Sequence, residues 1–526
     1  MTWLRSKIEV WIWLGLSLIL GAALASIDSK GFELQSWAAY SFLSGLGFAS
    51  LFWGWRWIGC GRQVRAATWI AFLLRLGVGI ALMFVLPIAG YQDNPASRAG
   101  YVYKDAYFRD QQAWELATSN ASFGTAFLGQ FSGDQYGGML ALSAAIYRYL
   151  SPDAHRPLLI LVLTAVAAVW GTFFVWKAAQ TWFSISTAGI AAWMFALFPE
   201  GVLLGSSHMR EAFVIPASAM IIYSLAKMRE GKLTWLAWFA AAGIILLLLQ
   251  PPVALAAFVI FIGAWFFDPY RQQSWKQVAL FTGLLALSLI IVVSIWSNLP
   301  SLRGTGSIGI FYTWLQNNFN FQSHLMQRAS GIVQKLLRDV GDQLKWLIVL
   351  VYGVAQPVLP AALVEEGAWI WRVIGILRAA GWYLLAPFLV YGFLAAFRLP
   401  AKERRTQLIW LGACIWAWIL IAAANAGGDQ WDNPRYRVIF LGWEAILAAW
   451  AFGWALVHRD RWLWRWLLVE AVFVLAFTEW YITRHIFKIA HLGIWPMIAV
   501  VLGLSALILI GGWLWDRRKK RIESRY

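Results

Sequence analysis

Apolar stretches close to twenty residues long recur along the whole chain, separated by short polar turns. Each is long enough to cross a hydrocarbon core of roughly 30 Å as a helix. The pattern predicts spans near 10–27, 36–55, 67–90, 158–177, 184–204, 212–228, 233–249, 253–267, 277–297, 378–398, 406–424, 437–457, 464–482 and 492–514. Lipid offers no partner for a free N–H or C=O, so repeated spans of this length are helical. The expected fold class is an all-α polytopic membrane protein of about 14 transmembrane helices, within a range of 12–14.

Three segments break the rhythm of short turns: 91–157, 298–377 and 425–436. The first carries two helical pieces, 103–119 and 138–150, the latter too short to span and placed beside the membrane. The second contains Ser323–Lys345, where Leu325, Ile332, Leu336 and Val340 are spaced for a helix lying on the bilayer surface. Its tail, 346–363, is apolar. A re-entrant or interfacial segment around Gln356-Pro357 and Pro360 would keep it from crossing, and whether it spans stays open. The chain thus divides into N-terminal spans (1–90), a first loop with juxtamembrane helices and an acidic motif (91–157), and a core of spans (158–297). A second loop (298–377) and C-terminal spans with a basic tail (378–526) follow.

Composition agrees with lipid as the main solvent. Of 526 residues, 60% are hydrophobic and 13% charged, about half the charge of a soluble domain. Tryptophans such as Trp53, Trp55 and Trp57 gather near span ends, as an interfacial belt requires. The net charge of +17 does not mark a nucleic-acid partner, because the basic residues sit in short clusters between spans. Arg62–Arg65, Lys227–Lys232, Arg271–Lys276, Arg398–Arg405, His458–Arg465 and Arg517–Arg521 all fall on one side when spans are counted from Met1. That side is read as the cytoplasm, with both termini in it, in what is expected to be a prokaryotic inner (plasma) membrane. All three long segments then lie on the extracytoplasmic face. Val10–Ile27 is read as a retained anchor. Cys60 and Cys414 define neither a disulfide framework nor a metal site.

Candidate chemistry concentrates on that outer face. In the first loop, Asp110, Trp114 and Ala117 share one helical face, while Asp105 approaches from the start of the helix. Asp105 either joins a common site or pairs with Arg109 across one turn. The run from Asp134 through Tyr136 to Leu150 follows, and then Glu200, His208, Arg210 and Glu211. Arg75 lies well inside its span, where an unpaired charge is expensive, so it must face other helices or a cavity.

An acidic residue after a span, followed by a spaced aromatic and alanine, resembles the GT-C membrane glycosyltransferases, in particular the protein O-mannosyltransferase and aminoarabinose transferase group. The likeness covers roughly 80–230 and is one of topology beyond that. It implies a sugar donor linked to polyprenyl phosphate and a lipid, glycan or protein acceptor. It also implies a carboxylate base, Asp110 first and Asp105 next, acting by single displacement with inversion. The corresponding acidic pair is here Lys104-Asp105. Arg435 and Arg437, in the motif Gly427–Arg437, together with Arg210, are the expected cations for the donor phosphate, with Asp429 and Asp432 to orient them. Lys104, Asp134, Tyr136, Glu200, His208 and Glu211 are further polar candidates on the same face. No cofactor is indicated; the acidic residues admit a divalent metal, although their spacing matches no compact metal motif. The competing readings are a transporter or flippase for a lipid-linked glycan, and a glycan polymerase or ligase. A transporter would carry more charge near the midplane than Arg75, Glu444 and Glu470 provide.

Overall fold

A computed structural model describes residues 2–28, 31–59, 61–128, 133–228, 234–266, 316–326, 331–399 and 402–523, with single positions between them. The described residues are helical or irregular, without a strand. Eight of their helices are long and apolar enough to cross a membrane, or nine if one bent pair counts as a single span. The protein is an integral membrane protein on that evidence. The span expected at 277–297 lies outside the described residues. Others expected at full length are shorter: the apolar helices Thr234–Leu249 and Pro251–Ala264 fall below span length.

The chain divides into two compact units, the first made of Met1–Phe261 with Ile439–Ile446, the second of Ile262–Val438 with Leu447–Tyr526. In the first unit run α1 (Thr2–Ser26), α2 (Leu34–Ile58), α3 (Arg62–Ala89), α4 (Pro95–Arg98), α5 (Lys104–Thr118), α6 (Gly138–Leu150) and α7 (Pro157–Trp182). They are followed by α8 (Ile185–Leu197), α9 (Pro199–Gly205), α10 (Glu211–Met228), α11 (Thr234–Leu249) and α12 (Pro251–Phe266). Helix α7 is its central post, apolar on every side and packed against α2, α3, α8 and α10. Trp53 is exposed, as a belt residue should be. Trp55 instead packs with Trp13 and Trp69, and Trp57 stacks among Trp170, Tyr223 and Trp238. Those tryptophans also join helices, because large rings fill gaps that small interhelical residues leave.

The bent pair explains Arg75. Helices α8 and α9 meet at Phe198-Pro199 with a 56° bend. Proline cannot continue the ladder, so carbonyls of the last α8 turn lose their usual partners. Arg75, 1% exposed, donates Nη1 to one of these, Ala196 O (3.0 Å), and to Ala71 O of its own helix (3.1 Å). Its stem passes Gly205, where an added Cβ would lie 2.8 Å from Arg75 Cδ and 3.0 Å from Ala168 Cβ. A Gly205→Val variant is expected to lose about 1–3 kcal/mol through this overpacking. Thermal unfolding in detergent reads it as a lowered midpoint, and an unchanged midpoint would show that the arginine's path is slack.

In the second unit run α13 (316–326), α14 (Gly331–Val340), α15 (Lys345–Ala355), α16 (Leu359–Val364), α17 (Trp369–Ala396) and α18 (Lys402–Ala426). After them come α19 (Asp432–Arg437), α20 (Leu441–His458, in the second unit from Leu447 onward), α21 (Arg461–Ile482) and α22 (Ile494–Glu523). Of the surface helix expected over Ser323–Lys345, 323–326 belong to α13 and 331–340 to α14, and residues 327–330 lie outside the described residues. The apolar tail 346–363 forms α15 and α16 around Gln356–Pro357. At 11 residues α15 rises only about 17 Å, half a hydrocarbon core.

Candidate active site

Helix α5 is polar on average, yet it buries one stripe: Ala106, Arg109, Asp110, Ala113, Leu116 and Ala117. Helix α6 covers that stripe. Two devices lock the pair. Arg148 of α6 wraps the end of α5, donating to the carbonyls of Leu116, Ala117, Ser119 and Ala121 and so pairing the acceptors a helix C-terminus leaves open. At the start of α6, Asp134 Oδ2 accepts from Leu140 N (3.0 Å), the cap an N-terminus needs. Gly137 turns the chain there at φ +79°, and any Cβ would meet Ala126 O at 2.3 Å.

Asp110, 2% exposed, sits at the middle of a cage of donors. Tyr101 Oη donates to its Oδ2 at 2.6 Å and Tyr147 Oη to its Oδ1 at 2.5 Å. His155 Nε2 stands 2.8 Å from Oδ2, and His208 Nδ1 3.9 Å from Oδ1. Trp114 stacks on His155, so the shared face of Asp110 and Trp114 is real and faces this histidine. Burial alone would push the Asp110 carboxyl up, but His208, His155 and Tyr101 together outweigh it and hold the group down at about 2. For His208 burial dominates and lowers its pKa, with Asp110 opposing. Its Nε2 faces Pro157 O at 2.9 Å and must donate there, since a carbonyl cannot. Next to His155, Arg156 gathers Asp28, Glu33 and Asp153, which pins the α6–α7 turn to the start of α2.

A second cluster adjoins the first through Arg109, whose Nη1 donates to His208 O (3.1 Å). Arg109 Nε lies 3.6 Å from Asp134 Oδ1, and Arg210 Nη1 lies 3.9 Å from the same atom. Arg210 also approaches Glu211 Oε1 (3.7 Å) and lies over the Tyr136 ring. Glu200, buried, accepts from Tyr103 Oη at 3.3 Å. Lys104 and Asp105 occupy the first turn of α5 and are exposed, Asp105 one turn before Arg109 and within its field. The structure therefore gathers Asp105, Asp110, Asp134, Tyr136, Glu200, His208, Arg210 and Glu211 around α5, with Lys104 at its rim. Sequence reading missed Tyr101, Tyr147 and His155 as ligands of Asp110. They share no local spacing with it, and only their place in the same long loop singled them out. Among the described residues no three His, Cys, Asp or Glu side chains are grouped to ligate a metal.

The arginine motif belongs to the second unit. Asp429 Oδ1 accepts from Trp431 N (2.7 Å) and Asp432 N (3.0 Å), so it caps α19, while Asp432 pairs with Arg435 at 3.3 Å. Arg437, 1% exposed, lies over Trp382 at 3.5 Å and donates to Gln356 O at 2.8 Å. Arg378 lies over Trp431 in the same way and donates to its carbonyl. With Arg435 at 4% exposure, neither motif arginine snorkels to lipid; both are held inside the unit.

No family model and no curated protein matches the chain. Among solved structures it is similar to the Archaeoglobus fulgidus oligosaccharyltransferase. The form with zinc and sulfate has 15% identity over 84% of this chain and 53% of that one, at TM-score 0.42. The form with an inhibitory peptide and a dolichol-phosphate has 14% identity, over 88% and 55%, at TM-score 0.40. The chain spans about half the length of these proteins. At such scores the likeness carries no argument about the reaction, which rests on the site alone.

Proposed function

We propose that this protein is a membrane glycosyltransferase that moves a sugar from a polyprenyl-phosphate-linked donor to a lipid, glycan or protein acceptor. The observation that supports it best is an exposed carboxylate, Asp105, one turn ahead of the buried Arg109, which shares Asp134 with Arg210, on a rigidly anchored juxtamembrane helix. A base must take the acceptor's proton as attack proceeds, and cations must hold the leaving phosphate. Asp105 has the access such a base needs. Asp110, first choice from spacing, is held near a pKa of 2 inside its cage, which suits a residue that positions α5 better than one that accepts protons at neutral pH. Arg210 is the proposed ligand of the carrier phosphate in the first unit. The full reading keeps about 14 spans, both termini in the cytoplasm, and the site on the extracytoplasmic face of a prokaryotic inner membrane, with inversion at the sugar carbon.

Transport is the weaker reading, since Arg75 is committed to carbonyls of a bent span rather than to a polar pathway. Full-length protein in proteoliposomes, given a polyprenyl-phosphate sugar labelled in the sugar and a cell-envelope extract as the source of acceptor hydroxyls, is expected to pass the label to acceptor and release the free polyprenyl phosphate. Movement of intact donor across the bilayer with no cleavage of the sugar–phosphate bond would overturn the proposal.

A further inference from the structure

The tip that joins α21 to α22, residues 483–493, carries Arg484, His485, Lys488 and His491. Exposed between and beside them are Ile486 (60%), Phe487 (63%) and Ile489 (57%). Both helices reach span length, so this tip stands at the level of lipid headgroups. Their other end is marked by Arg465, bidentate on Asp516 at 2.5 and 2.9 Å, and by Arg461, Arg517, Arg518 and Lys519. The charge bias that orients a helical hairpin acts through its cytoplasmic end, so the cations of the other end are not needed for orientation.

Local geometry holds the tip compact. Lys488, exposed, holds φ +53°, as Arg459 at the other end of α21 holds φ +47°, and it closes a π-turn by donating its N–H to Thr483 O. Arg484 is steadied over Trp480, whose Nε1 donates to Leu492 O across the tip. Helix α14 widens the patch. Its Leu336 packs on Trp480, Ile494 and Met497, its Asp339 accepts from Trp495 Nε1 (2.8 Å), and its Lys335 and Arg338 are exposed. The acidic groups beside this patch are Glu479 and Asp339, the latter already bonded to Trp495.

We propose that the α21–α22 tip and α14 form a docking surface for the phosphate esters of anionic phospholipids in the leaflet they face. Ile486, Phe487 and Ile489 enter the acyl region, and Arg484 and Lys488 meet the headgroup phosphates. This surface is separate from the proposed transfer site, and its test does not depend on turnover.

The test uses full-length protein with Cys60→Ser, Cys414→Ser and Phe487→Cys, the new thiol carrying an environment-sensitive fluorophore. The protein is placed in phosphatidylcholine nanodiscs containing a minor fraction of bromine-labelled phosphatidylglycerol or bromine-labelled phosphatidylcholine. Phosphatidylglycerol is expected to quench more, reflecting roughly fivefold local enrichment per cation. Arg484→Gln with Lys488→Gln should remove the preference, while Arg517→Gln with Arg518→Gln at the far end should keep it. On the parent protein, about 1 M salt should also remove it, because screening then acts within about 3 Å. Equal quenching by the two lipids in the parent, or a preference that survives both the glutamine pair and high salt, overturns the proposal.

Discussion

Asp110→Asn is expected to destabilise the first unit by about 3–5 kcal/mol, because it removes the carboxylate around which two buried tyrosine hydroxyls and a half-buried histidine are arranged. Tyr101, Tyr147 and His155 reach this carboxylate from the loop before α5, from α6 and from the turn before α7. Asparagine keeps the shape but turns an amide N–H₂ toward groups that themselves donate. Thermal unfolding in detergent should show a midpoint lower by roughly 5–10 °C. Acid unfolding separates charge from shape. The folded-state pKa of Asp110 lies below its ordinary value of 3.8, at about 2. Its contribution is therefore complete above about pH 4 and is lost as pH falls toward 2. His208 acts earlier: burial lowers its pKa from 6.5, so protonation of the unfolded chain erodes stability as pH drops below that value. The asparagine variant should lose the step between pH 4 and 2 and keep the earlier one. A variant as stable as the parent at every pH would mean that the cage does not hold α5 in place.

Asp105→Asn should separate cleanly from this. Its carboxylate is exposed in the first turn of α5, so its loss is expected to leave the unfolding midpoint within about 1 °C, as surface changes usually do. Transfer from a polyprenyl-phosphate sugar should fall by about 10²–10⁴-fold, the range a general base contributes. Loss in kcat with little change in KM is the expected signature, since the proton moves only in the transition state. Normal turnover by this variant would remove Asp105 from the chemistry and return the base to the carboxylates around Arg210.

Much of the molecule was legible because its signals are local. The helices now seen at Lys104–Thr118 and Gly138–Leu150 were visible as a polar-apolar rhythm and as a run too short to span. Asp110 and Trp114 share a face because a helix repeats every 3.6 residues, which spacing alone reveals. The cage around Asp110 was not legible. Tyr101, Tyr147, His155 and His208 come from four different segments, and nothing in the composition of any one segment says that they converge. Arg75 is similar: its burial was foreseeable, but its partner is a carbonyl freed by a bend 121 residues further along. The tryptophans show the same limit: their clustering near span ends is legible, but that Trp55 and Trp57 also pack between helices is not.

By itself the sequence determined that this chain lives in a bilayer, where its long polar loops fall, and which of them carry acid and base side chains together. Those properties follow from transfer free energy and helical period, both of which act residue by residue. Only the tertiary structure decided which carboxylate is sealed among donors and which stays open. It also decided that Arg435 and Arg437 are buried and that Arg75 is held by a bent span. Burial and hydrogen bonding are set by neighbours distant in the chain, so spacing alone does not tell which of two acidic residues five positions apart is enclosed.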